Sequence, residues 1–340
     1  MPSFSYIDAR SLNHFSVQVP VMDVRSPGEY QRGHIPRAYN FPLFDDYERA
    51  IIGTLYHKNG QTAAIKKGYN IAGAKIEGYL ENASRICGKK GKVVLYCWRG
   101  GMRSQSMALL LSMSGYEAII LSGGYKSYRS FARKQFEASK DISILGGMTG
   151  SGKTDILRKM KYLGQQVVDL EELAGHKGSV FGNLGLQEQC RTEHFENLLA
   201  EEWLDTDPGK RLWLEDESIN IGHVSIPAPI FKQMQEARVI MINIPFEERV
   251  ARLTAEYGHF EKDILKQLIT QISRRLGSEN AKKAIESVDQ GHISDSIAIV
   301  LTYYDKAYKH QLSKRPKEKI TEVNLTTTDT EEIAYLLGGI

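Results

Sequence analysis

Short apolar runs alternate with amphipathic segments along roughly the first 130 residues. The runs "VPVMDV" (19–24), "KVVLYCW" (92–98) and "YEAIILSG" (116–123) predict buried strands, and "SQSMALLLSMS" (104–114) has the apolar spacing of a helix. Strands that alternate with helices are typical of an α/β domain with a mostly parallel sheet. We therefore predict such a domain at the start of the chain.

The same alternation begins again after a polar connector, "YKSYRSFARKQFEASKD" (125–141), which is predicted to be helical. A strand at "ISILGG" (142–147) opens the second series. Apolar runs at 210–218 and 237–253 predict further strands that end in polar residues, and charged helices are expected from about 261 to 290.

The length and composition of the chain agree with two domains. It has 340 residues, more than one ordinary hydrophobic core serves, and its 41% apolar and 25% charged residues are typical of a globular protein. We predict one α/β domain over residues 1–138. The second α/β domain is expected over residues 139–340, with additional helices in its C-terminal part.

Charge and cysteine content narrow the cellular setting. The formal net charge is only +3, so any nucleic-acid site would have to be a local basic patch. Three cysteines without CxxC spacing predict a reducing compartment. The start "MPSFSYIDAR" lacks the pattern of a signal peptide, and no apolar run is long enough for a membrane span. We expect a cytoplasmic protein.

The segment "GMTGSGKT" (147–154) fits the phosphate-binding pattern G-x-x-x-x-G-K-[ST] between a predicted strand and a predicted helix. Glycines allow backbone N–H groups to turn towards phosphate oxygens, while the helix N-terminus and the lysine add positive charge. The predicted phosphate-binding residues are Gly147, Met148, Thr149, Gly150, Ser151, Gly152, Lys153 and Thr154.

Carboxylates after a second apolar run are candidates to complete a Mg²⁺ site. "LWLEDES" (212–218) places Glu215, Asp216 and Glu217 at a strand end, and we expect Thr154 and Asp216 to hold the ion. Glu215 and Asp169 are further candidates for metal binding or acid–base chemistry, and Glu171 is a weaker one. The alternative is an acidic strand-end turn without a metal.

One cysteine stands in a setting that favours reactivity. In "YCWRGGMRS" (96–104), Cys97 follows an apolar run, and a helix is expected to begin near Arg103 or Ser104. Loop N–H groups, the helix N-terminus and the charges of Arg99 and Arg103 would stabilise a thiolate or an anionic adduct. Cysteine phosphatases share this spacing, although Tyr96 stands where they usually carry a histidine. Cys87 and Cys190 are interpreted as ordinary thiols.

These motifs together resemble a known family. "MDVRSPGEYQRGHIPRAYNFPL" (22–43) resembles the opening of a rhodanese domain, "YCWRGGMRS" its active loop, and "LSGGYKSYR" (121–129) its closing signature. A rhodanese domain followed by a P-loop domain is similar to the bacterial tRNA 2-selenouridine synthases. The resemblance extends to the segments "ERAIIGTLYHKNG" (48–60), "DLEELAGHKGSVFG" (169–182), "FENLLAEE" (195–202) and "LWLEDES".

The resemblance implies a rhodanese-like domain, a P-loop NTPase-like domain and a tRNA substrate with 2-thiouridine at the wobble position. It implies conversion to 2-selenouridine through S-geranyl-2-thiouridine, with geranyl diphosphate and selenophosphate as co-substrates. Cys97 is then expected to carry selenium as a perselenide. The P-loop would bind a diphosphate, and no ATP hydrolysis is expected. A selenophosphate-producing enzyme would act upstream, and no membrane partner is implied.

A tRNA substrate needs basic side chains at the protein surface. The candidates, chosen by charge alone, are Arg133, Lys134, Arg274, Arg275, Lys314 and Arg315. The arginine pair could instead close over the polyphosphate or form a solvated helix face.

Two other classes of protein fit the same two motifs. One is a sulfurtransferase joined to an ATP-dependent small-molecule kinase, since "PFEERVARL" (245–253) after a strand is kinase-like. The other is a sulfide-sensing, ATP-binding regulatory module with no acceptor product.

Overall fold

A computed structural model shows two compact units and describes residues 3–15, 18–185, 188–325 and 329–339. The first unit is Met1–Gln135 with Glu193–Glu201, and the second is Phe136–Thr192 with Glu202–Ile340. Each unit contains one five-stranded parallel sheet with helices, so the predicted α/β class is confirmed for both.

The sheet of the first unit carries the predicted strands at its centre. Its strands are β1 (Ser5–Ile7), β2 (Val21–Asp23), β3 (Tyr39–Asn40), β4 (Lys92–Tyr96) and β5 (Glu117–Leu121). They lie in the order β1-β5-β4-β2-β3, and all pairs are parallel. The central strand β4 is fully buried from Val93 to Tyr96 because helices cover both faces of such a sheet. That burial explains its unbroken apolar sequence.

The helices of the first unit are α1 (Ala9–Phe15), α2 (Pro27–Arg32), α3 (Asp46–Gly73), α4 (Ile76–Cys87), α5 (Met102–Met113) and α6 (Gly124–Gln135). Helix α3 bends at Gly60, where φ is +81° and ψ is 178°. A residue with a side chain rarely adopts this conformation. Gly60 therefore divides α3 into two helical arms.

The second unit has the sheet order β12-β11-β6-β8-β7, again all parallel. Its strands are β6 (Ile142–Gly146), β7 (Gln166–Val167), β8 (Leu212–Glu215), β11 (Arg238–Asn243) and β12 (Ile320–Asn324), with a small antiparallel pair of β9 (Asn220–Ile221) and β10 (Val224–Ser225). Its core joins the sheet to α7 (Lys153–Tyr162) and α16 (Thr330–Gly338).

The remaining helices are α8 (Leu170–Ala174), α9 (Thr192–Leu204), α10 (Ala228–Glu236), α11 (Phe246–Tyr257), α12 (Lys262–Gln271), α13 (Ser273–Leu276), α14 (Ser278–Gln290) and α15 (Ile293–Leu312), followed by a 3₁₀ turn, Lys317–Lys319. The expected C-terminal helices are thus present. The run 237–253, predicted as a strand that ends in polar residues, is instead a strand followed by a helix. Pro245, two residues after the end of β11, is the N-cap of α11.

Most of α9 belongs to the first unit, which the sequence division at residue 138 did not anticipate. Asn197 is fully buried and donates from Nδ2 to the carbonyl of His34 at 2.7 Å and to the hydroxyl of Tyr125 at 2.8 Å. Its Oδ1 accepts from Arg129 at 2.6 Å. The apolar pattern of α9 shows that the helix is buried but not which sheet it covers.

Replacement of Asn197 should therefore destabilise the first unit. Asn197→Leu removes the two hydrogen bonds that Asn197 donates and the one that it accepts from Arg129, and it leaves the His34 carbonyl without this donor. We expect a loss of about 2 kcal/mol or more in the free energy of unfolding. Urea denaturation measures it, with the exposed Asn70→Leu as control. Equal midpoints for the two variants would contradict the role of Asn197.

No helix within the described ranges combines the length and the apolar character that crossing a bilayer requires.

Candidate active sites

The cysteine loop connects β4 to α5 in the first unit. Cys97 directly follows the central strand and is only 4% exposed. Its Sγ lies 3.3 Å from the hydroxyl of Ser104 and 3.9 Å from the carbonyl of Gly101. Helix α5 begins at Met102, so the thiol sits just before a helix N-terminus, a position that favours negative charge.

The N-terminus of α6 holds this loop in place. The amide of Tyr125 donates to the carbonyl of Cys97 at 2.9 Å. A Cβ atom on Gly124 would lie 2.3 Å from that same carbonyl oxygen and 2.4 Å from the amide of Gly100, so only glycine fits here. Gly100 itself has φ +65°. The segment "LSGGYKSYR" therefore serves as the backbone support of the cysteine loop.

A buried ion pair, which sequence reasoning did not assign a role, lies behind the loop. The Arg25 guanidinium donates to Asp23 at 2.6 Å and to the carbonyl of Gly33 at 2.7 Å, and it lies 3.9 Å from the ring centroid of Tyr125. Burial raises the pKa of Asp23, and its hydrogen bonds to Arg25 oppose that change. The "MDVRSP" motif is thus explained by structural support.

Tyr96 is fully buried and accepts a hydrogen bond from the amide of Ile35 at 3.2 Å. Burial, with the negative charge of Asp23, raises the pKa of Tyr96 well above its ordinary value. The phenol is neutral and tied to the backbone, so it does not replace the histidine of a cysteine phosphatase.

The two arginines of the loop have different settings. Arg103 donates to Glu29 at 2.6 and 3.3 Å. Burial of Glu29 acts against its ionisation, but the hydrogen bonds and charge of Arg103 lower the pKa of the carboxyl. Arg103 is therefore held in an ion pair with Glu29. Arg99, two residues after Cys97, is exposed.

In the second unit, residues 147–154 form the turn from β6 into α7. Gly150 and Gly152 have φ of +82° and +76°, which are conformations that favour glycine. The Lys153 ammonium donates to the carbonyl of Gly147 at 2.9 Å and so reaches back across the loop. This is the geometry that the phosphate-binding pattern predicts.

Helix α11 supports the loop from beneath. Arg249 is buried, donates to the carbonyl of Thr149 at 3.1 Å and pairs with Asp305 of α15 at 2.7 Å. The motif "PFEERVARL" therefore places a structural arginine under the loop, in addition to Arg252, which lies against Gly152.

Two predicted roles need correction. The hydroxyl of Thr154 donates to Glu171 at 3.0 Å, not to Asp216. The Asp216 carboxylate instead accepts from Tyr308 at 2.8 Å and from Arg315 at 2.7 Å. Arg315 is 6% exposed and neutralises this carboxylate, so it cannot belong to an exposed basic surface. The preferred metal ligand thus serves as a structural anchor.

Three glutamates form the acidic cluster in its place: Glu171, Glu215 and Glu217, with carboxylate oxygens within 4.8 Å of one another. Alternate residues at a strand end share a side, so Glu215 and Glu217 lie together and Asp216 lies apart. Burial, followed by the neighbouring negative charges, raises the pKa of Glu215 well above its ordinary value and that of Glu217 to about 8.

The acidic cluster fits a divalent cation. Neither carboxylate oxygen of Glu215 has a hydrogen-bond donor within the described part of the chain, although both are buried. Such groups ordinarily have a partner, and hard oxygen ligands suit Mg²⁺. Gly178 closes the site, since a Cβ atom there would lie 2.9 Å from Glu171 and 3.0 Å from Glu217. The motif "DLEELAGHKGSVFG" supplies both this glycine and Glu171.

Asp169 has a capping role. Its Oδ1 accepts from the amide of Glu172 at 2.8 Å at the start of α8, and Arg158 lies 3.6 Å from Oδ2. Burial raises the pKa of Asp169. Within the described ranges, Asp169 does not line the cleft that the P-loop and the acidic cluster border, which we call the phosphate cleft.

The phosphate cleft of the second unit has a volume of about 450 Å³. Its lining includes the P-loop and the acidic cluster. It also includes apolar and aromatic side chains of the second unit's helical core: Phe181, Leu253, Tyr257, Ile297, Val300, Leu301 and Tyr304. The cleft therefore offers both charged groups and hydrocarbon surface to one ligand.

The remaining basic candidates lie at the surface. Arg133 and Lys134 end α6, Arg274 and Arg275 are on α13, and Lys314 follows α15; all are exposed. None of them lines the phosphate cleft in the described ranges, so closure of the arginine pair over a polyphosphate finds no support there.

The comparisons with known proteins agree with this architecture. Residues 8–131 match the rhodanese-like domain, and residues 140–336 match the tRNA 2-selenouridine synthase AAA domain. One similar solved structure is the N-terminal domain of a protein described as ATP/GTP binding from Clostridium difficile 630, with 37% identity and a TM-score of 0.34. It aligns over 38% of this chain and 98% of its own.

A second similar structure is a rhodanese-related protein from Thermoplasma volcanium. It is 22% identical, with a TM-score of 0.24, and aligns over 38% of this chain and 93% of its own.

The fold and the two sites define a rhodanese-like domain joined to an AAA-type domain with a P-loop sequence. The chain belongs to the tRNA 2-selenouridine synthase family. It is therefore a tRNA-modifying enzyme.

Proposed function

We propose that this protein converts wobble 2-thiouridine in tRNA to 2-selenouridine through S-geranyl-2-thiouridine. Geranyl diphosphate and selenophosphate are the co-substrates. The second unit alkylates the sulfur, and Cys97 of the first unit delivers selenium. The observation that carries this proposal is that the phosphate cleft combines a charged lining with an apolar one, because geranyl diphosphate has a charged half and an apolar half.

In the alkylation step, the P-loop amides and Lys153 bind the diphosphate, and the geranyl chain packs against the apolar lining residues of the phosphate cleft. The thiocarbonyl sulfur forms a bond to C1 of the geranyl group. The C1–O bond breaks, its electron pair leaves with the diphosphate, and N3 of the uridine loses its proton. A fixed positive charge at the leaving oxygen stabilises this charge development.

The proposal includes a divalent cation at the acidic cluster. Three buried carboxylates repel a diphosphate unless a positive charge lies between them. Glu171, Glu215, Glu217 and the hydroxyl of Thr154 would hold Mg²⁺, which supplies charge neutralisation for the leaving diphosphate. Asp216 remains outside this ligand set because Arg315 and Tyr308 occupy its carboxylate.

Selenium transfer then uses Cys97. Its thiolate attacks the selenium of selenophosphate: an S–Se bond forms, the Se–P bond breaks, and the electron pair leaves on phosphorus as phosphite. The perselenide attacks C2, and geranylthiolate leaves with the C–S electron pair. A thiol reductant attacks the Cys97 sulfur, and the S–Se pair stays on selenium. A second thiol frees Cys97 from the mixed disulfide, and N3 regains a proton.

Nucleoside mass spectrometry tests the sequence of steps. Purified protein is incubated with thiolated tRNA, geranyl diphosphate, selenophosphate and a thiol, each omitted in turn. Omission of selenophosphate should leave S-geranyl-2-thiouridine, and omission of geranyl diphosphate should leave 2-thiouridine. Formation of 2-selenouridine without geranyl diphosphate would refute the S-geranyl route.

Phosphorus NMR of the same reactions tests the carrier role of Cys97. A perselenide on Cys97 requires phosphite as product and consumption of thiol. Phosphate release without thiol would show that selenium reaches C2 without passing through a Cys97 perselenide. ATP turnover in place of geranyl diphosphate use would support the kinase alternative.

Magnesium should stabilise the second unit through the acidic cluster. At a concentration about a hundred times the dissociation constant, Mg²⁺ is expected to add about 2.7 kcal/mol to the stability of the unit that binds it. Glu215→Gln should abolish this increase, because it removes one carboxylate of the acidic cluster.

Calorimetry with and without Mg²⁺ makes this measurement, and Glu172→Gln is the matched control on α8. Glu172 is exposed and outside the acidic cluster, so its variant should respond to Mg²⁺ as the wild type does. An Mg²⁺ response that survives in Glu215→Gln would remove Glu215 from the ligand set.

A further inference from the structure

The first unit contains a second apolar cleft, which the alkylation site does not use. It has a volume of about 160 Å³ and is lined by apolar and aromatic side chains, among them Phe44, Ile52, Tyr56, Ile65, Tyr69 and Met102. All of these residues belong to the first unit.

The bend of α3 creates this cleft. Ile52 and Tyr56 lie on the arm before Gly60, and Ile65 and Tyr69 lie on the arm after it. Gly68 also lies on the second arm and lines the cleft, next to the ring of Phe44. The segment "ERAIIGTLYHKNG", which resembles the family, ends at the bend. Its residues therefore form the first of the two helical arms that line the apolar cleft.

Large apolar side chains around this cleft remain in water. Tyr56 is 54% exposed, Tyr69 is 61% exposed and Met102 is 44% exposed. The only guanidinium in the lining, that of Arg103, is already paired with Glu29. The cleft therefore lacks free charge for a phosphate and matches a hydrocarbon ligand.

The position of the cleft connects it to the cysteine loop. Met102 and Arg103 line the cleft and form the first turn of α5, which directly follows the loop that carries Cys97. A hydrocarbon bound here would contact the first turn of the helix that follows the Cys97 loop.

We propose that this cleft binds the geranyl chain of S-geranylated tRNA while C2 of the modified uridine meets Cys97. This inference rests on the proposed function and gives the intermediate a second hydrocarbon site, separate from the phosphate cleft. An apolar cavity of about 150 Å³ is sufficient for benzene, so this cleft encloses about one isoprene unit. The exposed side chains of Tyr56 and Tyr69 would cover the second isoprene unit of the geranyl chain.

The geranyl chain then has two functions. It makes the sulfur a leaving group, and it holds the reacting uridine at the selenium site. Burial of hydrocarbon is favourable in proportion to the apolar area removed from water, so even half of the chain favours the S-geranyl form over unmodified 2-thiouridine. The enzyme would in this way distinguish the intermediate from its own first substrate.

The test compares tRNA carrying S-geranyl-2-thiouridine with tRNA carrying S-methyl-2-thiouridine in selenation. The wild type should prefer the geranyl substrate by kcat/KM, and the double variant Tyr56→Ser/Tyr69→Ser should lower that preference at least tenfold. Both tyrosines are exposed, so the variant should fold, which its melting temperature checks. Tyr47 is a more exposed tyrosine of α3 outside the cleft, and Tyr47→Ser should keep the wild-type preference.

Equilibrium binding of the free nucleoside S-geranyl-2-thiouridine separates this inference from the proposed function. Tenfold weaker binding to the double variant supports the cleft even if the wild type fails to selenate geranylated tRNA, which would refute the function alone. Unchanged nucleoside binding overturns the cleft. An equal loss of affinity for an unmodified anticodon stem-loop also overturns it, since the tyrosines would then stack on bases.

Discussion

Cys97→Ser should stop selenation and cause S-geranyl-2-thiouridine to accumulate in tRNA. A serine hydroxyl is not ionised at neutral pH and cannot carry selenium, so we expect a loss on the order of a thousandfold or more. The proposed alkylation site is in the other unit and keeps its P-loop, so we expect the first step to continue. Mass spectrometry of nucleosides from purified reactions measures both products.

Cys87→Ser is the matched control for this experiment. Burial raises the pKa of Cys87 to about 11, so its thiol is neutral and is not expected to react. Its variant should form 2-selenouridine at the wild-type rate. If Cys97→Ser also formed it at that rate, Cys97 would have no part in the chemistry.

Lys153→Ala should produce the opposite pattern, with 2-thiouridine left unchanged. Removal of one preorganised charge at a developing anion costs about 10²–10³ in rate, and we expect this loss in geranylation. The lysine lies at the first residue of α7 and reaches across the P-loop to Gly147. A tRNA that already carries the S-geranyl group should still be selenated by this variant, because Cys97 is unaffected.

Lys161→Ala provides the comparison for Lys153. Lys161 is on the same helix but outside the phosphate cleft, where it pairs with Glu202 at 3.4 Å. Its loss should leave geranylation within about twofold of wild type, as for most surface changes. If Lys153→Ala geranylated tRNA at the wild-type rate, the P-loop would not be the diphosphate site, and the diphosphate would have to bind elsewhere.

The local motifs were recognisable because their chemistry is encoded in consecutive residues. The phosphate-binding loop needs its glycines and lysine at fixed spacing between a strand and a helix, and that spacing is visible in "GMTGSGKT". The same holds for Cys97, since the strand before it and the helix after it lie in one continuous segment.

The acidic cluster was harder to assign because its members are far apart in the chain. The sequence shows Glu215, Asp216 and Glu217 as equals at a strand end. Which of them faces Thr154 depends on strand alternation and on Arg315, a residue about a hundred positions away that neutralises Asp216. The sequence does not show whether an arginine is buried or exposed, so the assignment of Arg315 to a basic surface was wrong.

Two α/β domains, the loop that carries Cys97 and the P-loop could be predicted from the sequence, because each depends on local periodicity or on a short motif. Three features became visible only in the tertiary structure: Glu171 is the partner of Thr154, most of α9 packs with the first unit, and the two arms of α3 line an apolar cleft. These features arise from contacts between distant segments, and their energies depend on burial and pairing that no local pattern records.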